Sequence, residues 1–179
     1  MAVTWLVQPR SQADPTPGGC HTSVADSALG RKGLCHMADE AEWFVAFVER
    51  CLQQAWDLSE VVQDEDGDYP FSDGSTTAYV TVEQEPALGV CVWSYAAHGV
   101  KGAASVLREV NDLNMQSRLC KVMWLGGAIR VELRLPADQV SAESLERACW
   151  HVEGIASDIG QMFAVVHGGE SALAEPRAS

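Results

Sequence analysis

Between residues 141 and 166, Leu145, Ala148, Val152, Ile155, Ile159, Met162 and Val166 recur at alternating intervals of three and four. That spacing predicts one apolar stripe along an amphipathic helix, widened by Cys149, Ala156 and Phe163. Glu143, Glu146, Arg147, Glu153, Asp158 and Gln161 fall off the stripe. Ser141 suits the N-cap, Glu143 the first turn and Gly168-Gly169 the stop. Residues 39–56 repeat the pattern with Trp43, Phe44, Phe47, Val48, Cys51, Leu52, Ala55 and Trp56. Asp39, Glu40 and Glu42 favour the positive end of that helix dipole. A shorter helix, 101–114, carries Ala103, Val106, Leu107, Val110 and Leu113 on one face.

Between the helices the period changes to two. Residues 68–72 and 76–83 flank Asp73-Gly74, a hairpin signal. A two-residue turn there opposes Phe71 with Thr76 and Tyr69 with Ala78, so that Tyr69, Phe71, Ala78, Val80 and Val82 share a face. Pro70 donates no ladder hydrogen bond, which marks its strand as an edge. A third strand, 88–96, is apolar on both faces: Leu88, Val90 and Val92 on one, Cys91, Trp93 and Tyr95 on the other. Such a strand is either central and covered twice, or exposed to a partner. Residues 118–125 and 128–135 form a second hairpin around Gly126-Gly127. It pairs Trp124 with Ile129, Val122 with Val131 and Cys120 with Leu133 on one face, and Lys121 with Glu132 and Met123 with Arg130 on the other.

The order α-β-β-β-α-β-β-α predicts an α+β domain, an antiparallel sheet covered by helices, over residues 37–169. Residues 1–36 are rich in proline and glycine without periodicity and read as a disordered extension; residues 170–179 read as a polar tail. Met37 opens an acidic helix start, which suggests it as the native first residue. The long helix contains Gly154 and Gly160, each costing about 1 kcal/mol relative to alanine. Burying its seven stripe residues at ~1.5–3 kcal/mol each outweighs that cost, so it is expected to lie on its own sheet.

The net charge of −13 is uneven. Residues 1–36 hold three basic and two acidic side chains, leaving 9 basic and 23 acidic for the remainder. Such a surface repels phosphate backbones, which argues against nucleic acid and favours a basic partner. The six cysteines include no CxxC pair and read as buried thiols of a reducing cytoplasm. No apolar run reaches the ~20 residues of a membrane span. Asp64-Glu65-Asp66-Gly67-Asp68 invites a calcium loop, but aligning its glycine puts Val62 first and Asp73 last, so an acidic turn is the better reading. There is no GxSxG, GxxxxGK[ST] or strand-linked GxGxxG, and no histidine has a metal-helix partner. The chain reads as non-enzymatic, without cofactor or metal.

The order of elements, Asp66-Gly67-Asp68-Tyr69-Pro70-Phe71 entering the first strand, Val110-Asn111-Asp112-Leu113-Asn114 ending the middle helix, and Leu133-Arg134-Leu135-Pro136 after the Gly-Gly hairpin together resemble the YbjN-like relatives of type III secretion chaperones. The likeness spans residues 39–169. It implies an ATP-independent, dimeric protein holding extended client protein or peptide segments. It further implies a homodimer seam on Ala103, Val106, Leu107 and Val110, and a peptide patch drawing on Trp43, Phe47, Trp93 and Tyr95. The alternatives are an obligate regulatory subunit with one fixed partner, or a small-ligand binder with a pocket lined by His98 or His151 and carboxylates.

Overall fold

The computed structural model describes residues 27–72 and 76–172, with the side chains of 27–39 left aside. Helix α1 (Ser27–Trp56) is followed by strands β1 (Tyr69–Phe71), β2 (Ala78–Glu83) and β3 (Gly89–His98). Helix α2 (Ala104–Gln116), strands β4 (Lys121–Leu125) and β5 (Ala128–Pro136), a 3-10 turn (Ala137–Gln139) and helix α3 (Ala142–His167) come next. A two-residue strand, β6 (Glu170–Ser171), ends the described chain. The expected order is present, with the last strand and the 3-10 turn added. Helix α1 begins at Ser27, so residues 27–36 of the segment expected to be disordered (1–36) are helical, and the remainder of that expectation, over residues 1–26, lies outside the described residues.

All pairings are antiparallel, in the order β1-β2-β3-β5-β4, with β6 on β3. Pro70 lies on an edge strand as expected. The β4–β5 register matches the sequence reading pair for pair from Lys121↔Glu132 to Trp124↔Ile129. Gly126 and Gly127 take φ of +57° and +104°, the left-handed conformation a two-residue turn requires. Cys120 and Leu133 do not pair, because β4 starts at Lys121.

The first hairpin is two residues out of the expected register: Phe71 opposes Ala78 and Tyr69 opposes Val80. The connection is longer than a tight turn and is drawn together by Ser72 Oγ donating to Thr76 O at 2.8 Å. An even slip leaves every side chain on its predicted face. The acidic turn before β1 uses its own carboxylate: Asp64 Oδ1 accepts from the backbone N–H of Asp66 and Asp68.

One face of the sheet carries Tyr69, Ala78, Val80, Val90, Val92, Ile129, Val131 and Val122, all buried with Phe44, Val48 and Leu52 of α1 and Leu145, Val152 and Phe163 of α3. Helix α3 therefore lies on its own sheet. Ser141 and Ser144 form a reciprocal capping box and Gly168 closes the helix with φ +70°. The buried stripe is centred on Cys149, Ala156 and Phe163, while Val166 is exposed. Glu153, off the predicted stripe, is buried because α1 and the sheet both pack on α3.

Beyond Ser94, strand β2 has ended, and β6 occupies the vacated side of β3 through Ala97↔Ser171 and His98↔Glu170. On the other side of β3, the β3–β5 register shifts between Tyr95 and Ala97, a bulge. The freed Ala96 carbonyl accepts from the Ala172 N–H at 2.9 Å.

Candidate functional site

Among the described residues, α1, α2 and α3 contribute their buried side chains to the same face of the sheet. Alternation along β2, β3, β5 and β4 sends the intervening side chains to the opposite, open face. This is where Trp93 and Tyr95 lie, both half-buried. Tyr79 of β2 stands across from Trp93, and the rings stack at 4.5 Å and 19°. Trp93 meets Tyr95 edge to face at 5.2 Å. The bulge at Ala96 turns His98 back to this face, 4.9 Å from the Tyr95 ring. The result is a row of four rings across two strands.

Polar groups fix this row from both sides. Trp93 Nε1 donates to Thr81 Oγ1 at 2.9 Å, and the Thr81 hydroxyl donates to Asp68. The Arg130 guanidinium lies over the Trp93 ring, 4.2 Å from its centroid. Arg130 also donates to the Cys91 sulfur at 3.9 Å. Glu132, almost fully buried, has Arg130 at 3.7 Å, Arg134 at 3.6 Å and Lys121 at 3.9 Å. Burial pushes the Tyr79 phenol up, reinforced by Asp64, Tyr95 and Asp68. Burial likewise pushes the Cys91 thiol up, with Glu132 and Glu83 adding to it and Arg130 opposing. Tyr79 and Cys91 are therefore neutral at ordinary pH, an uncharged aromatic and thiol surface flanked by charge.

The four residues expected to form one peptide patch fall into two pairs. Trp43 and Phe47 stack on each other at 5.4 Å on α1, which packs on the core side of the sheet; Trp43 is 65% exposed. Trp93 and Tyr95 are on the open side. The four residues expected at a dimer seam also divide: Val106 and Val110 are buried in the chain's own core, while Ala103 and Leu107 face outward. Tyr79 and Arg130 were not singled out as binding residues, and His98 was named only as lining the pocket of the small-ligand alternative. Alternation along β2 puts Tyr79 on the outer face, but its partner depends on a β2–β3 register that no tight turn sets. His98 depends on the bulge.

His151 lines a groove of about 440 Å3 with Asp158, Arg118 and Leu119 between α2 and α3. His98 stands on the sheet surface beside Tyr95. No group of three or more metal-ligating side chains converges among the described residues, and no described helix is long and apolar enough to cross a membrane.

The fold is similar to that of two solved complexes. The ExsC–ExsE complex superposes with a TM-score of 0.54 at 15% identity, covering 66% of this chain and 94% of that one. The HopA1–SchA chaperone–effector complex gives a TM-score of 0.50 at 9% identity, covering 64% and 94%. At such identities the likeness is one of fold. No curated protein sequence matches the chain. Residues 42–175, nearly the whole described domain, match the family model of T3SS (YopN, CesT) and YbjN peptide-binding chaperones, type 1. The chain belongs to that family of peptide-binding chaperones.

Proposed function

We propose that this protein is a non-enzymatic, ATP-independent chaperone that holds extended segments of a client protein on the open face of its sheet. The observation carrying this reading is the row Tyr79, Trp93, Tyr95 and His98, which no helix among the described residues covers, while three helices pack on the opposite face. An aromatic row accepts many side chains by stacking and apolar contact, which suits a binder of diverse segments. Asp64, Asp68 and Glu83 border the row on the β1–β2 side and favour basic residues in the client there. Trp43 and Phe47 on α1 form a second apolar patch, reachable by a client that wraps around the sheet. We further propose that the protein dimerises through the outward face of α2, at Ala103 and Leu107, with Val106 and Val110 holding that helix to its own sheet.

The test is fluorescence anisotropy with a panel of labelled unstructured peptides. The purified protein should bind several of them with micromolar affinity, and Trp93→Ala should weaken binding by about tenfold, the cost of losing a central aromatic anchor. Unchanged affinity in Trp93→Ala would remove the client from the open face. A protein that binds no peptide and is recovered only with one fixed partner would support the obligate-subunit reading instead.

A further inference from the structure

The open face of the sheet offers a client no backbone partners. Strands β2 and β5 both pair with β3 beneath the aromatic row, so the ladder groups there are already engaged. A segment lying across those strands must leave its own backbone N–H and C=O groups to water. Polyproline II meets that condition without loss: it makes no internal hydrogen bonds and keeps its backbone fully solvated. Proline also fixes φ in advance, which lowers the ordering cost of binding.

The rings suit such a helix. Tyr79 stacks on Trp93 from β2 and Arg130 lies over it from β5, so a ligand meets the edge of the indole. The rings that follow are inclined, Tyr95 at 77° to Trp93 and His98 at 54° to Tyr95, which leaves notches between neighbours. Aromatic-lined notches are where proline-rich segments dock. Successive centroids 4.5, 5.2 and 4.9 Å apart keep the row within about 15 Å, the length of roughly five residues at ~3.1 Å each. The Tyr79 phenol, pushed up by burial, keeps its proton and can donate to a client carbonyl.

Charge gives the row a direction. Asp64 and Asp68 lie near Tyr79, at the opposite end from His98. Their carboxylates accept from neutral donors, the N–H groups of Asp66 and Asp68 and the Thr81 hydroxyl. Among the described residues no Lys or Arg pairs with either. On the β5 side, by contrast, Glu132 has Arg130, Arg134 and Lys121 around it. The uncompensated negative charge is therefore at the Tyr79 end, where a cation on the client is favoured.

We infer that the aromatic row takes a proline-rich client segment in the polyproline II conformation, about five residues long, with Lys or Arg beyond its Tyr79 end. Proline rings seat in the notches at Trp93, Tyr95 and His98, and the cation meets Asp64 and Asp68. This rests on the reading of the open face as the client site and names the class of segment that site selects.

The experiment uses the full chain and three labelled peptides of equal length. One is proline-rich with two arginines at one end, the second has two glutamates in their place, and the third is the arginine form with every proline replaced by alanine. Fluorescence anisotropy at low salt should show the first binding at least tenfold more tightly than either of the others. Asp64→Asn combined with Asp68→Asn keeps an acceptor oxygen at both positions and should remove the preference for arginine over glutamate. Tyr95→Ala should weaken the proline-rich peptide at least fivefold, and Trp43→Ala, on the other side of the sheet, should change nothing; unchanged circular dichroism identifies the variants as folded. Equal binding of the proline and alanine peptides, both weakened by Tyr95→Ala, overturns the polyproline proposal and leaves the open-face chaperone reading standing. Equal binding of the arginine and glutamate peptides overturns the direction set by Asp64 and Asp68. Proline-selective binding that survives both Tyr95→Ala and Trp93→Ala overturns the placement on the aromatic row. Binding of neither these peptides nor any unstructured peptide overturns both the proposal and the chaperone reading.

Discussion

Gly154 and Gly160 sit in the same helix with the same intrinsic penalty, and their surroundings are opposite. A Cβ at Gly160 would lie 2.4 Å from the Ala96 carbonyl oxygen, so the residue lets α3 descend onto the bulged part of β3. A Cβ at Gly154 would meet nothing within 4 Å. Gly160→Ala should therefore destabilise the protein by about 2 kcal/mol or more, through forced separation of helix and strand. Gly154→Ala should stabilise it by roughly 0.5–1 kcal/mol, through propensity and reduced freedom of the unfolded chain. Urea unfolding of the two variants checks both signs at once. The buried thiols give a second residue-scale prediction. Burial raises Cys120 to about 11, and burial with Glu153 raises Cys149 to about 12, from an ordinary value of 9.0. These thiols ionise later in the folded chain than in the unfolded one. Their contribution to stability is thus complete below pH 9 and is lost as the pH rises toward 11 and 12. In a chain with Cys20 and Cys35 replaced by serine, a thiol reagent below pH 9 should label Cys51, Cys91, Cys120 and Cys149 only after denaturation. Fast labelling of the native chain would contradict the packing.

Elements here are joined by side chains that imitate backbone. Asn114, at the end of α2, makes two hydrogen bonds to Val122 and so closes the outer edge of β4. Alanine at this position should cost roughly 1–3 kcal/mol, since it leaves two backbone groups without partners. Aspartate should rescue only part of this, because it can accept from the Val122 N–H but cannot donate to its carbonyl. Thermal unfolding of the two variants distinguishes these cases. The same scale explains what was legible beforehand. The β4–β5 register could be read because a Gly-Gly turn fixes it and the Lys121–Glu132 pair across the strands agrees with it. The β1–β2 register could not, because the loop is closed by Ser72 and Thr76 rather than by a tight turn; the faces survived because the slip was even. Trp93 and Tyr95 were visible as an apolar outer face. Their neighbours were not, since the stacking of Tyr79 on Trp93 needs the β2–β3 register and the approach of His98 needs a bulge. Trp43 and Phe47 looked like part of the same patch because a sequence carries no record of which side of the sheet a helix covers.

At the scale of the whole molecule, a single face of α2 was read as one seam, and the fold gives its residues two tasks. Val106 is 1% exposed and packs inside the domain, whereas Leu107, the next residue, is 55% exposed. An isolated exposed leucine is ordinary, but here it lies one turn from Ala103 on the proposed dimer face. This adjacency makes the dimer claim separable from a folding defect. Leu107→Asp places a charge where the partner would sit and leaves the core untouched; it should turn a dimer into a folded monomer in sedimentation velocity, with the helical circular dichroism unchanged. Val106→Asp buries the same charge within the domain and should cost several kcal/mol, unfolding the chain before association can be asked about. Peptide affinity adds the last distinction. If each protomer holds its client on its own open face, monomeric Leu107→Asp should bind a short peptide as well as the wild type and lose affinity only for a client long enough to engage both copies, where linkage raises the effective concentration. A wild type that sediments strictly as a monomer would remove the dimer from the proposal and leave the aromatic face as a complete site within one chain.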